Sequence, residues 1–244
     1  RIRQLEEQLG VTLFERSRNN IHLTASGERL LNHAKTLVNG WEEARYDVIA
    51  GAGVARQFTI LGVPSLWDTV LLPWTIKLRN KFPDLLLRIE SLPSEMIWRR
   101  LQQNQADFGF VFEPHAGPEL HIVETTSLQL HMVATEADLA PENVVTNGYV
   151  MVDWGASFMT RHAALYPGVS IPSTWVSTGR IAYDLLQSGG GRGCYLPEFM
   201  TESAVKNKRL FKVMNTQVIR LPVYAACPGW STHNELISEL LALR

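Results

Sequence analysis

Apolar and polar positions alternate with helical spacing at the start of the chain. Ile2, Leu5 and Leu9 recur at i, i+3 and i+7, one stripe of a helix, while Arg1, Arg3, Gln4, Glu6, Glu7 and Gln8 fill its other faces. Glu6, Glu7 and Gln8 read as its solvated side. Gly10 stands where a left-handed residue commonly ends a helix. Two short apolar runs, residues 11–15 and 21–23, flank Arg16-Ser17-Arg18-Asn19-Asn20, and asparagine tolerates the positive φ that a hairpin turn demands. Thr24 suits an N-cap, and Glu28 in the following first turn is favoured by the helix dipole.

From Thr24 the helical pattern runs on. Leu30, Leu31, Ala34, Leu37, Val38, Trp41, Ala44, Val48 and Ile49 approximate a heptad repeat, with Ala34, Trp41 and Val48 in register. A helix this long has nothing local to pack against. Its stripe is either covered by the core of the same chain or by a partner helix. Gly51-Ala52-Gly53 then breaks the pattern and reads as a hinge.

Residues 58–63 form a continuous apolar run, as a buried parallel strand should. Helical spacing through Leu66, Val70, Leu71, Trp74, Ile76 and Leu78 predicts a helix over 65–82, ended by Pro83. A strand over 85–90, a helix capped by Ser94 and a strand over 106–112 complete a β-α-β-α-β run, which predicts a parallel sheet. Further strands are expected at 120–125 and 128–134, the second crossing into another lobe. Beyond them come a strand at 149–153, a helix at 156–165, a strand at 174–177, a helix at 179–187 and strands near 193–196 and 218–226. Thr232 and Glu235 form a capping box for a last helix. The fold class is therefore α/β.

Composition narrows the classes. The 244 residues are 45% hydrophobic and 19% charged, with a net charge of −1, so any attraction to nucleic acid must come from a local patch such as Arg1, Arg3, Arg16 and Arg18. Two cysteines, Cys194 and Cys227, make no metal-binding spacing and suit a reducing compartment. The sequence has neither an 18-residue apolar run nor a signal-peptide pattern, which disfavours membrane and secretion. Enzyme signatures are weak. The stretch 188–193, Ser-Gly-Gly-Gly-Arg-Gly, fits neither a P-loop nor a dinucleotide fingerprint and reads as a turn. The histidines form no zinc motif, and no nucleophile elbow is present. No catalytic residue, metal or cofactor is expected.

The string RIRQLEEQLGVTLFER…LTASGE resembles the end of the winged helix-turn-helix domain of LysR-type bacterial transcription regulators, through Ile2, Leu5, Glu6, Leu9, Gly10, Leu13, Phe14, Arg16, Leu23, Thr24 and Gly27. The resemblance implies a recognition helix at 1–9 and a wing at 16–20 beside the phosphates of operator DNA. Arg1, Arg3 and Gln4 would then meet bases or phosphates, and Arg16, Arg18, Asn19 and Asn20 would position the protein on the duplex. It also implies a partial winged helix-turn-helix over 1–24 and a linker helix over 25–52 that pairs with a second subunit. A two-lobed effector-binding domain like that of periplasmic solute-binding proteins would fill 53–244, with lobe I at about 57–131 and 219–244 and lobe II at about 132–218. The family carries two helices before its recognition helix, so the expectation is a regulator truncated at its N-terminus, its operator binding impaired. A homodimer or homotetramer in the cytoplasm is implied. Arg18-Asn19-Asn20-Ile21, Ser65-Leu66-Trp67 and Asp153-Trp154-Gly155 further resemble the HdfR-like branch of that family. The rival reading is a ligand-sensing or solute-binding module of periplasmic type that never touches DNA.

In open α/β sheets ligands bind beyond the carboxyl ends of strands, where helix N-termini offer free N–H groups. Ser65, Leu66, Trp67, Ser94, Asp153, Trp154 and Thr178 stand at such places, where the resemblance puts a small effector, often a carboxylate. Each also has a bland reading, since Ser and Thr at helix starts are ordinary caps and tryptophans are mostly buried on average. Asp153 would repel an anion, which leaves room for an effector with a donor group or an apolar ring.

Overall fold

The computed structural model describes residues 1–17, 20–50, 57–115, 120–169, 172 and 174–229, with the side chains of 16, 17, 20, 32, 35, 36, 39 and 42–50 outside the description. Arg18 and Asn19, the Gly51-Ala52-Gly53 hinge and the Thr232–Glu235 capping box lie outside the described residues. The chain divides into two compact units, the first comprising Arg1–Arg56 with Gln103–Gln105, the second Gln57–Gln102 with Ala106–Arg244.

In the first unit, α1 (Ile2–Leu9) ends at Gly10, whose φ of 67° is the left-handed value a side chain would resist. Strands β1 (Phe14–Ser17) and β2 (Asn20–Leu23) pair antiparallel from Phe14↔Leu23 to Ser17↔Asn20. The ladder therefore runs deeper into the hairpin than the turn expected over 16–20. Glu6 departs from its expected place on a solvated face. Its Oε1 accepts from the backbone N–H of Leu13 at 2.7 Å and of Phe14 at 3.2 Å, tying α1 to the wing.

Thr24 caps α2 (Ala25–Ala50) as its position predicts, its Oγ1 accepting from Gly27 N–H at 3.0 Å. The same hydroxyl donates to the Thr12 carbonyl at 2.7 Å. Gly27 is required here, because a Cβ would overlap the carbonyl of buried Leu13. Along α2 the apolar stripe is open, with Leu37 72% and Trp41 66% exposed and Val38 exposed beside them. The side chains of Ala44, Val48 and Ile49 lie outside the description.

The second unit begins with β3 (Gln57–Gly62). It is followed by α3 (Pro64–Leu66), a π turn (Trp67–Leu71) and α4 (Leu72–Lys81), so the helix expected over 65–82 is broken by a wider turn. Then come β4 (Leu86–Ser91), α5 (Ser94–Gln102) and β5 (Phe108–Val111). Strands β4, β3 and β5 are parallel, with β3 in the middle, as the β-α-β-α-β spacing requires. Phe58, Ile60, Leu61, Phe108 and Phe110 fill this core, and Gly109 leaves space for Ile97 and Leu101 of α5.

The two strands expected at 120–125 and 128–134 are one, β6 (Leu120–Ala134). It pairs antiparallel with β11 (Ile219–Pro228) from Leu120↔Pro228 to Leu130↔Ile219. A bulge at Thr125, whose hydroxyl donates to the Val223 carbonyl at 3.1 Å, interrupts the ladder. The pair leaves the first lobe beside β5 and enters the second, where β6 also pairs with β9 (Gly193–Pro197) and β10 (Phe211–Lys212). The second lobe adds α6 (Pro141–Thr146), β7 (Val150–Val152), α7 (Ala156–Leu165), β8 (Thr174–Val176), α8 (Gly179–Gln187) and α9 (Glu198–Lys206). Strands β7 and β8 are parallel, and a bridge from Tyr149 to Gly193 joins them to β9.

Candidate functional site

The ends of β3 and β5 in the first lobe face the ends of β7 and β8 in the second, and named hydrogen bonds cross the seam. Ser65, buried in the first turn after β3, donates its hydroxyl to the Asp153 carbonyl at 3.0 Å. Asp68 Oδ2 accepts from the backbone N–H of Arg180 at 2.7 Å, in the first turn of α8. Glu113 Oε1, just past β5, accepts from the N–H of Ser157 at 2.9 Å, in the first turn of α7. Gly155, with φ of 87°, sits against that carboxylate, where a Cβ would collide with it.

Thr178 is the N-cap of α8, its Oγ1 accepting from Ile181 N–H at 3.3 Å, so its hydroxyl is engaged by the helix it opens. Asp153 is exposed at the end of β7, with Oδ1 accepting from Gly155 N–H at 3.2 Å. Burial raises the Asp68 carboxyl above the ordinary range, against the opposing pull of the Arg180 N–H and the Thr178 hydroxyl.

Two of the expected ligand residues lie in the core. Trp154 is 0% exposed: its indole N–H donates to the Tyr195 carbonyl at 3.1 Å, its ring stands edge-on to Phe112, and Gly179 packs on its six-membered ring. Leu66 is likewise fully buried in the core. Neither is exposed in this structure, and Ser65 is as deeply buried as they are, its hydroxyl held by Asp153. Trp67 is half-buried and folds back over the end of β3, donating to the Gly62 carbonyl at 3.1 Å, and Gly62 has no Cβ where that indole and Leu71 lie. Ser94 is half-exposed and lies inside α5 instead of capping it. The Pro93 carbonyl takes the first helical bonds, from Met96 and Ile97. Ser94 shares its sheet end with Ser65, since Gly62 pairs with Ser91.

Asp68 and Glu113 were not among the expected site residues. The signal was present in part: Glu113 is an acid just beyond the carboxyl end of β5, while Asp68 lies in the helical segment that follows β3, and both sit at the end of the sheet from which a helix N-terminus across a cleft can be reached. The 188–193 stretch joins α8 to β9 as a turn, with Gly189 at φ 79°. It lines an open pocket of about 820 Å³ in which the Arg192 guanidinium is paired with Glu136 at 3.1 Å. This pocket lies at the opposite end of α8 from Thr178. Among the described residues no group of three or more His, Cys, Asp or Glu side chains is placed to hold a metal ion. Both cysteines are free and buried.

In the first unit Arg1, Arg3 and Gln4 are exposed on α1, and the backbone of Arg16 and Asn20 flanks the wing tip.

The chain matches the LysR substrate binding domain over residues 51–243 and the helix-turn-helix of bacterial regulatory proteins of the lysR family over residues 1–28. It belongs to the LysR family of transcription regulators. Relatives include the HTH-type transcriptional regulator HdfR of Yersinia enterocolitica, 30% identical over 99% of this chain and 84% of that protein, and HdfR of Yersinia pestis, also 30% identical over the same shares. Among solved structures, ArgP from Mycobacterium tuberculosis superposes with a TM-score of 0.70 at 19% identity, covering 99% of this chain and 83% of that one. Full-length OxyR from Pseudomonas aeruginosa gives 0.64 at 18% identity, covering 100% and 88%. The helix-turn-helix match over residues 1–28 decides against a solute-binding module that never touches DNA. The family is one of regulators, not enzymes. No helix among the described residues is long and apolar enough to cross a membrane.

Proposed function

We propose that this regulator reads double-stranded operator DNA through α1 and the β1–β2 wing, pairs with a second copy through α2, and senses a small molecule between the lobes of its second unit, in the cytoplasm. Arg1, Arg3 and Gln4 on α1 reach bases or phosphates. Arg16, Arg18, Asn19 and Asn20 hold the backbone of the duplex beside them. The single observation that carries this reading is the open apolar stripe of α2, with Leu37 and Trp41 presented to solvent. A helix that leaves such side chains uncovered is built to be covered by another. An effector entering the seam meets Ser65, Trp67, Ser94, Asp153 and Thr178, and any movement it causes between the lobes changes how paired subunits space their DNA-reading units.

Arg18→Ala, in the protein expressed from its complete gene, is expected to weaken binding to every duplex alike. It should also lower the slope of log affinity against log salt by about 0.9 for each phosphate that the side chain no longer neutralises. Fluorescence anisotropy at several salt concentrations measures it. An unchanged slope removes Arg18 from the interface.

A further inference from the structure

The seam between the lobes is closed by the chain itself. Asp68 and Glu113 both come from the first lobe, and both reach the second amide of a helix in the second lobe, Arg180 in α8 and Ser157 in α7. These first-turn donors have no partner within their own helices, and the positive end of a helix dipole favours an anion there. The chain thus sets its own carboxylates where a small anionic ligand would sit. Ser65 adds a third bond across the seam, to the Asp153 carbonyl. On the other side of these contacts the lobes are joined by β6 and β11, with the Thr125 bulge where the pair crosses from lobe to lobe.

We propose that Asp68 and Glu113 are a built-in latch: two internal anions that hold the lobes closed without an effector by occupying the N-termini of α8 and α7. An incoming anion that seeks either terminus must displace the chain's own carboxylate, so it loosens the seam where in an unlatched cleft it would tighten it. The latch draws on the reading of the cleft as the effector site only for this consequence. Closure itself is tested with no effector present, so a failed latch and a failed effector assignment give separate results.

Spin labels at R99C on α5 and E202C on α9, both exposed, report the distance between the lobes, while the buried Cys194 and Cys227 stay unlabelled. With labelled chains diluted in an excess of unlabelled protein, so that only distances within one chain are read, the unliganded protein is expected to show one narrow distance population. D68A/E113A is expected to show a longer, broader one while keeping a cooperative melt. The wild-type distribution in a folded D68A/E113A protein overturns the latch. Amide hydrogen exchange tests it without the labels. The Arg180 and Ser157 amides should exchange at least tenfold slower than unprotected amides and lose that protection in D68A/E113A, since each is bonded to a carboxylate and lacks a carbonyl partner in its own helix. Exchange at the unprotected rate at both positions in the wild-type protein overturns the proposal equally.

Discussion

Leu37→Glu with Trp41→Glu is expected to turn the protein into a monomer at micromolar concentration, where the unaltered protein is expected to sediment as a dimer or a larger assembly. The two side chains are four residues apart and share one face of α2, exposed by 72% and 66%. Burying a large apolar side chain is worth about 1.5–3 kcal/mol, so two from each of two subunits contribute roughly 6–12 kcal/mol to association. Loss of even the lower figure weakens pairing by about four orders of magnitude. The introduced carboxylates would add repulsion at the same seam. Glutamate is a good helix former, so α2 itself should survive, and circular dichroism checks that it does. Sedimentation velocity that shows the wild-type assembly in the variant would mean the stripe serves some other purpose.

Trp154→Ala is expected to cost about 3–5 kcal/mol of stability in the second unit, the range for removing a large aromatic from a packed core. For a unit of this size that is a fall in Tm of about 6–20 °C. The cost comes from three interactions: the indole N–H on Tyr195, the edge of Phe112 and the close approach to Gly179. A tryptophan that formed a ligand platform would instead leave Tm unmoved and remove only the effector response. Thermal unfolding by near-UV circular dichroism separates the two.

Periodicity served well where one face of an element is buried and the other wet. Helices α7 and α8 run over the residues the spacing predicts. Helix α1 also forms where its spacing predicts, although its stripe of Ile2, Leu5 and Leu9 is exposed. Periodicity failed where that contrast is weak. In α9 Thr201 and Ala204 are the buried positions while Phe199 is exposed, so the apolar pattern points the wrong way. In α6 only six residues are helical and they include Val144, Val145 and Thr146, whose branched side chains favour strands. The two strands read at 120–125 and 128–134 are one because a bulge at Thr125 absorbs the change of phase between them.

The site was legible in outline and not in detail. Helix-start positions such as Ser65 and Thr178 can be found from local rules, and both lie at the seam. Which tryptophan turns inward cannot be read locally. Trp67 and Trp154 each follow a strand end, yet Trp154 goes wholly into the core because Gly179 and the Tyr195 carbonyl, both distant in sequence, receive it. Asp68 and Glu113 escaped for the same reason, since their partners are first-turn amides 112 and 44 residues away.

The most direct measurement places a photo-crosslinking benzophenone residue at Gln4 on α1, with a control at exposed Thr160 on α7, in the protein expressed from its complete gene and bound to a duplex selected by it from a random-sequence pool. Irradiation is expected to yield a covalent DNA adduct from position 4 and none from position 160. Adducts from neither position, or from position 160 alone, would contradict a DNA-reading role for the first unit.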